Sequence, residues 1–105
     1  MSVYKVSVEV LPMEGTTLPA DWIGAFVNVY IDAPNIIEAI MTTEATLLSD
    51  YYKPDNTYSA YKIDIDGLDE FKGSDDNDEI STENIKSLKM DGGIVYGAFH
   101  GFKVD

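Results

Sequence analysis

Cysteine and arginine are absent from this sequence, and histidine occurs once, as His100. Without cysteine the chain can form no disulfide and no thiolate metal site, which is compatible with a reducing cytoplasm. Arginine is the side chain best suited to bidentate contacts with phosphates and bases, so its absence argues against direct binding of nucleic acid. A single histidine without any thiolate also argues against a zinc site.

Catalytic and cofactor-binding motifs are missing as well. No serine lies in a nucleophile-elbow context such as G-x-S-x-G, and no glycine-rich loop has the lysine and the strand-to-helix setting that phosphate binding needs. A lone histidine within an apolar strand is more often structural than catalytic, and this is the role we expect for His100. We therefore expect no enzymatic activity and no cofactor.

Two acidic segments invite comparison with calcium-binding loops. Counted from Asp64, the fifth ligand position of an EF-hand is Leu68, and counted from Asp75 the required glycine is Ile80. Neither spacing fits, so we expect no dedicated metal site. Adventitious binding of divalent cations to these carboxylates remains open.

Long apolar runs are lacking too, since no segment approaches the roughly 18 apolar residues of a membrane span. The N-terminus, from Met1 to Lys5, lacks the basic start and apolar run of a secretion signal. With 105 residues the chain has the size of one ordinary domain. We expect a single soluble, cytoplasmic domain over residues 1–105.

Acidic residues are what the sequence has in excess. It contains 19 acidic residues against 7 lysines, for a formal charge of −12. Nine acids and one lysine fall between Asp64 and Glu83, so a net −8 lies in this fifth of the chain. Such a field can steer a basic protein partner, although a solvated loop without a partner is the alternative. The predicted partner-binding residues are Asp64, Asp66, Asp69, Glu70, Asp75, Asp76, Asp78 and Glu79.

Hydrophobic periodicity organises the chain around one strand-helix unit. Aliphatic residues at every second position from Ile23 to Ile31 predict a strand with one buried face. Pro34 ends this strand, and Asn35 with Glu38 gives a capping-box-like helix start. The helix is predicted to continue until the next proline and to bury a stripe at helical spacing. That stripe consists of Ile37, Met41, Ala45, Leu48 and Tyr52, widened by Ile36, Ile40, Leu47 and Tyr51.

Three further strands and a second helix complete the predicted fold. Alternating residues predict strands over 3–11, 58–66 and 94–104, the first two with one wet face, and Ser81 is a suitable N-cap for a helix. Residues 12–21 and 67–79 are predicted to be loops. The pattern indicates an α+β fold: a four-stranded, mostly antiparallel sheet with two helices packed on one face, in the order ββαβαβ.

Two features of this fold leave alternatives open. Three glycines spaced by four, from Gly93 to Gly101, leave room for close packing of a helix, or else they mark a twisted or bulged strand. The aromatic residues Phe26 and Tyr30, with Tyr58, are predicted to lie on the second face of the sheet. A loop or a symmetry mate is expected to cover them, which allows a homodimer through the Phe26/Tyr30 face.

Three segments resemble a known family. Gly24–Ala33, Ile37–Ile40 and Leu47–Pro54 are similar to the strand-helix pattern of small acidic immunity proteins from bacterial contact-dependent growth inhibition and related polymorphic toxin systems. The resemblance implies a cytoplasmic protein that binds and neutralises one cognate toxin domain, often a nuclease with a basic substrate groove. It assigns no individual binding residue.

The sequence therefore supports more than one class of function. The first hypothesis is a non-enzymatic immunity protein that binds a cognate basic toxin domain, for example a nuclease, through the acidic residues named above. The alternative is a ferredoxin-like oligomeric regulatory or small-molecule-binding domain, in which the aromatic sheet face packs on a partner subunit. A third hypothesis is a phage-type nucleic-acid mimic that blocks a DNA-binding protein through the same electrostatics.

Overall fold

The described part of the chain forms a four-stranded sheet with one helix packed against it. The structure, a computed structural model, describes residues 2–63, 87–88 and 90–103. Its elements are β1 (Ser2–Pro12), β2 (Trp22–Ala33), α1 (Ile36–Ser49), β3 (Tyr52–Lys62) and β4 (Ile94–Lys103). The strands lie in the order β3-β1-β2-β4, and every neighbouring pair is antiparallel. The predicted α+β class and antiparallel sheet are confirmed, whereas the described elements run ββαββ with one helix in place of the predicted ββαβαβ with two.

The main core lies between the sheet and α1. β1 and β2 pair with Val6 opposite Val29, so the even-numbered residues of β1 share a face with the odd-numbered residues of β2. These apolar side chains pack against Ala39 and Leu47 of α1. The predicted buried face of β2 is confirmed for its aliphatic residues from 25 to 31.

The first residue of that predicted face is placed wrongly. Ile23 is 46% exposed, because the register shifts between Trp22 and Gly24 and places Trp22 on the core side instead. Such an irregularity inverts the alternation on one side of it. The indole lies over Gly101 of β4, where a Cβ atom would come within 2.0 Å of Trp22 carbon atoms. At Gly101 the group that approaches the strand closely is therefore the Trp22 side chain and not a helix.

β4 contains a second register shift. Val27 lies opposite Phe99 and Val29 opposite Tyr96, so β4 has one residue more than β2 between these pairs. The bulge brings Tyr96 and Phe99 to the α1 side of the sheet, where both rings contact Tyr52. The predicted strict alternation of this strand is wrong, and the bulged strand is the alternative that the structure shows.

The start of α1 is as predicted, and its end is not. Asn35 caps the helix, and its Oδ1 accepts a hydrogen bond of 2.9 Å from the Glu38 backbone N–H. The helix is only 14 residues long, because Tyr51 turns the chain with a left-handed φ of 68°. β3 therefore begins at Tyr52 instead of residue 58, and Pro54 lies inside it. Proline is tolerated there because β3 is an edge strand.

β1 is covered on both faces, although its alternation predicts one wet face. It lies in the middle of the sheet, between β3 and β2. Lys5 and Ser7, on the side away from α1, are both buried. Ser7 Oγ donates a hydrogen bond of 2.7 Å to Asn28 Oδ1, opposite it on β2. Lys5 lies between Tyr30 of β2 and Tyr61 of β3, so this polar side chain is part of the packed structure.

A helical turn covers one end of the sheet face opposite α1. Residues 87–88 and 90–91 have helical backbone geometry, and the Gly92 N–H donates a hydrogen bond of 2.8 Å to the Leu88 carbonyl oxygen. Leu88 is buried together with Val3, Tyr30 and Ile63. By the strand register, Val3 and Tyr30 lie on the side of the sheet away from α1.

The predicted packing of two helices on one face is therefore wrong. Apolar residues on both faces of the sheet need cover, and the helical turn supplies it on the second face. The predicted start of a second helix at Ser81 lies outside the described residues. Within the described ranges, no helix has the length and apolarity needed to cross a membrane.

Candidate partner-binding surface

The predicted partner-binding residues lie outside the described part of the chain. The eight acidic residues from Asp64 to Glu79, and both segments compared with calcium-binding loops, fall in the range 64–86. Their role in binding stays a prediction. Among the residues that the structure describes, no group of three or more histidine or acidic side chains is arranged to hold a metal ion.

His100 does not occupy the apolar interior that the sequence suggested. It is exposed near the end of β4 and lies opposite Phe26 of β2. Strand alternation places His100 on the face opposite its neighbour Phe99, and the bulge between Tyr96 and Phe99 puts Tyr96 on the Phe99 side, toward the core. A structural role as a buried histidine is therefore wrong for this position.

The side of α1 that faces solvent carries its large aliphatic residues. Ile37, Met41 and Leu48 are 65%, 60% and 49% exposed, and Ala45 between them is exposed as well. At about 100° per residue, these four positions fall within an arc of roughly 80° on the helix surface. They form a continuous apolar surface, which we call the outer stripe.

The outer stripe reverses the predicted orientation of the helix, because its four residues were expected in the core. The buried residues of α1 are instead Ala39, Thr43 and Leu47, on the opposite side of the helix. Thr43 Oγ1 is buried and has no hydrogen-bond partner among the described residues. The helix thus buries an alanine and a threonine while it leaves Ile37 and Met41 in water.

Carboxylates border the outer stripe. Helical geometry places Glu44 along one border and Glu38 along the other. Glu44 Oε2 accepts a hydrogen bond of 2.6 Å from Thr57 Oγ1 of β3, and beyond the helix end Asp50 Oδ2 accepts one of 2.7 Å from the Tyr96 hydroxyl of β4. Partial burial and the bond to Asp50 raise the pKa of Tyr96 well above its usual range. These bonds hold Glu44 at the border of the outer stripe, and Asp50 beyond the helix end, in fixed positions.

The charge along this part of the sequence has one sign. Between Lys5 and Lys53 there are seven acidic residues and no lysine, arginine or histidine. α1 itself contains Glu38 and Glu44 and no basic residue. The outer stripe is therefore an apolar surface whose charged neighbours on the helix are all negative.

A second exposed apolar surface lies on the sheet face opposite α1. The Phe26 ring is 5.9 Å from the Tyr58 ring of β3 and 5.3 Å from the Phe102 ring of β4, measured between centroids. Phe26 and Tyr58 are 38% and 51% exposed. These three rings, the aromatic row, cross the sheet. Gly24 makes room for them, since a Cβ there would lie 2.4 Å from Phe102 Cζ.

Tyr30 does not belong to this exposed surface. It is fully buried with Leu88, so of the two predicted residues Phe26 alone is exposed, and the homodimer stays a prediction. The end of the face that contains Phe26 is open. The helical turn before Gly92 explains the difference, because it covers Tyr30 within the same chain.

The loop between β1 and β2 closes one end of the core. Leu18 is buried, and the Thr17 and Tyr52 hydroxyls share a hydrogen bond of 2.5 Å. Asp21 forms an exposed ion pair of 2.9 Å with Lys103, and the hydrogen bond from that lysine lowers the pKa of Asp21. The loop is thus held against the sheet.

Comparison with known proteins finds no matching family model, no matching curated protein and no matching solved structure. The functional argument therefore depends on the exposed surfaces. Sequence reasoning named the residues of the outer stripe but assigned them to the core. One signal of their exposure was present in the sequence: apolar residues occupy both sides of α1, which a helix on a single sheet cannot bury at once.

Proposed function

We propose that the protein is a non-enzymatic immunity protein that binds a cognate basic toxin domain in the bacterial cytoplasm. The observation that carries this proposal is the apolar outer stripe of α1, which is exposed and bordered by carboxylates. Contiguous apolar surface on a soluble domain commonly marks a binding site, and charge of one sign around it favours a partner of the opposite sign. The resemblance of Gly24–Ala33, Ile37–Ile40 and Leu47–Pro54 to acidic immunity proteins supports the same function.

The acidic residues from Asp64 to Glu79 have a separate role in this proposal. Exposed charge acts over about 8 to 10 Å at physiological ionic strength, so it accelerates encounter more than it strengthens the final complex. We assign to these residues the steering of the basic toxin domain. The net charge of −12 supports this role, because it makes the whole molecule attractive to a basic protein.

If a large secreted protein is encoded immediately upstream of this protein's gene, its C-terminal domain serves as the toxin domain in the test, and the lack of such a gene would weaken the proposal. Co-expression should protect cells from the toxin domain, and the activity of the purified toxin should fall linearly to zero at one equivalent of this protein. A binding inhibitor acts stoichiometrically, whereas an enzyme that destroys the toxin acts well below one equivalent. Absence of protection together with absence of binding at low salt would contradict the proposal.

Charge reversal provides the matched electrostatic test. Replacement of Asp69, Glu70, Asp75 and Asp76 by lysine should slow association sharply at low salt and much less at high salt. Unchanged association rates at low salt would remove these residues from the steering role. In that case other surfaces of the protein would have to account for the inhibition.

The aromatic row supports a second candidate function. Its exposed rings could pack on a second copy, as in the oligomeric regulatory domain considered from the sequence. Sedimentation analysis of the wild type and of Phe26→Ser distinguishes the two functions. A dimer that the substitution dissociates favours the oligomeric domain, and a monomer in both cases favours the immunity protein.

A further inference from the structure

We infer that the outer stripe of α1 is the surface that the toxin domain covers, and that the toxin offers an apolar groove with lysines or arginines along its edges. This inference rests on the proposed function and specifies where and how the two proteins meet. It moves the centre of the interface from the acidic segment to the helix.

The spacing of the outer stripe is that of a helix that binds in a groove. Ile37, Met41, Ala45 and Leu48 follow one another at i, i+4, i+8 and i+11. Amphipathic helices use this spacing to place anchor side chains into an apolar groove. Exposures of about half to two thirds leave on the order of 300 Å² of apolar surface in water, a size at which surface patches are often functional.

The packing of α1 supports the same conclusion. Burial of isoleucine or methionine stabilises a fold more than burial of alanine or threonine does. Beside Leu47, α1 nevertheless buries Ala39 and Thr43, the latter with an unpartnered hydroxyl among the described residues, and exposes Ile37 and Met41. Close packing of the small side chains against the sheet explains which side of α1 faces inward, and a partner that buries the outer stripe explains why large apolar side chains occupy the other side.

The negative charge around the outer stripe restricts the kind of partner that can bind there. If two copies of this chain paired through α1, Glu38 and Glu44 of one copy would face the same carboxylates of the other, with no basic residue on either helix. An anionic membrane surface would be repelled for the same reason. A protein groove with basic edges places cations opposite Glu38 and Glu44, and Glu44 is already held in position by the Thr57 hydroxyl.

The experiment measures toxin binding by two double variants with similar loss of exposed apolar surface. Ile37→Ser/Met41→Ser removes the centre of the outer stripe, and Ile23→Ser/Tyr58→Ser removes exposed apolar side chains from the other face of the sheet. The first should weaken binding by about tenfold or more, mainly through faster dissociation and at every salt concentration, because buried anchors act on the formed complex. The second should change binding by less than about twofold.

Unfolding curves check that both variants remain folded. The replaced side chains are about half to two thirds exposed, so both double variants should lose some stability, by similar amounts, and still unfold in a cooperative transition. Toxin binding that is equal for the stripe variant and the wild type would overturn the inference and leave the proposed function standing. A toxin domain that does not bind the wild type overturns the proposed function and, with it, this inference.

A synthetic probe tests the partner chemistry. The probe is an 18-residue amphipathic peptide with leucines on one face and lysines on the other, and its control has glutamates in place of the lysines. The lysine peptide should shift the backbone amide resonances of α1 in the wild type and not in Ile37→Ser/Met41→Ser, and Glu38→Gln/Glu44→Gln should weaken its binding several-fold at low salt. Equal binding of both peptides, or self-association through the outer stripe, would contradict a groove with basic edges.

Discussion

Leu47 and Leu48 are neighbours in the sequence on different sides of α1, and their replacement by alanine tests the orientation of the helix. Leu47 is fully buried, whereas Leu48 is 49% exposed and belongs to the outer stripe. Both substitutions change helix propensity by the same small amount. The difference between their free energies of unfolding therefore reports burial.

The magnitude follows from the three carbon atoms that each substitution removes. At about 0.8 kcal/mol per buried methylene, plus a cavity contribution, Leu47→Ala should cost about 3 to 4 kcal/mol. Leu48 is half exposed and its removal leaves no closed cavity, so Leu48→Ala should cost about 1 kcal/mol. A difference of about 2 to 3 kcal/mol is large beside a total domain stability of roughly 5 to 15 kcal/mol.

Urea unfolding followed by tryptophan fluorescence measures both values. Trp22 is the only tryptophan, and it packs against the core. With a denaturant dependence of about 1 to 1.5 kcal/mol per molar urea, Leu47→Ala should lower the midpoint by about 2 M or more, and Leu48→Ala by less than about 1 M. Equal losses, or a larger loss at Leu48, would mean that the outer stripe faces the sheet, and the candidate surface would then not exist.

Three further predictions test the strand register, the helix end and the hydroxyl that holds Asp50. Gly101→Ala should cost about 1 to 3 kcal/mol by collision with Trp22, and almost nothing in a Trp22→Ala background; equal costs in both backgrounds would contradict the contact. At residue 51 glycine should be more stable than alanine by about 1 kcal/mol in thermal unfolding, the reverse of the usual helix order, because φ is 68°; the usual order would contradict this backbone conformation. The raised pKa of Tyr96 means that its stabilising bond to Asp50 is fully present below about pH 10 and is lost as the pH rises further. The stability difference between wild type and Tyr96→Phe should therefore narrow from pH 8 to pH 11, and a constant difference would contradict the assignment.

Periodicity predicted the structure well wherever one period continues without interruption. The even-numbered residues of β1 and the odd-numbered residues of β2 from Ala25 to Ile31 are buried as expected, and Asn35 caps α1. It failed at the register shifts, which place Trp22 instead of Ile23 in the core and bring Tyr96 and Phe99 to the same face of β4. A bulge adds one residue to a strand without requiring a particular residue type. The alternation on either side of it therefore does not indicate where the bulge lies.

The boundary between α1 and β3 shows a different limit. A proline normally ends a helix, so Pro54 was a reasonable stop signal. The chain instead leaves the helix at Tyr51, a bulky residue in a left-handed conformation that glycine usually occupies. The Tyr51 ring packs over Gly15 of the preceding loop, within ordinary contact distance of the position a Cβ would take. This tertiary contact lies 36 positions away in the sequence, and no local pattern reports it.

The orientation of α1 could not be predicted because the helix is apolar on two sides. The rule that larger apolar residues face the core places the exposed side of the helix against the sheet. Ala39 and Thr43 lie at the contact with the sheet, where small side chains allow the helix axis to approach closely. Ile37 and Met41 at the same contact would hold the helix farther from the valines of β1 and β2. The helix therefore packs closely when Ala39 and Thr43 face the sheet beside Leu47, and this orientation leaves Ile37 and Met41 exposed. The orientation of α1 that could not be assigned from the sequence therefore also exposes the apolar, acid-bordered surface on which the proposed interface depends.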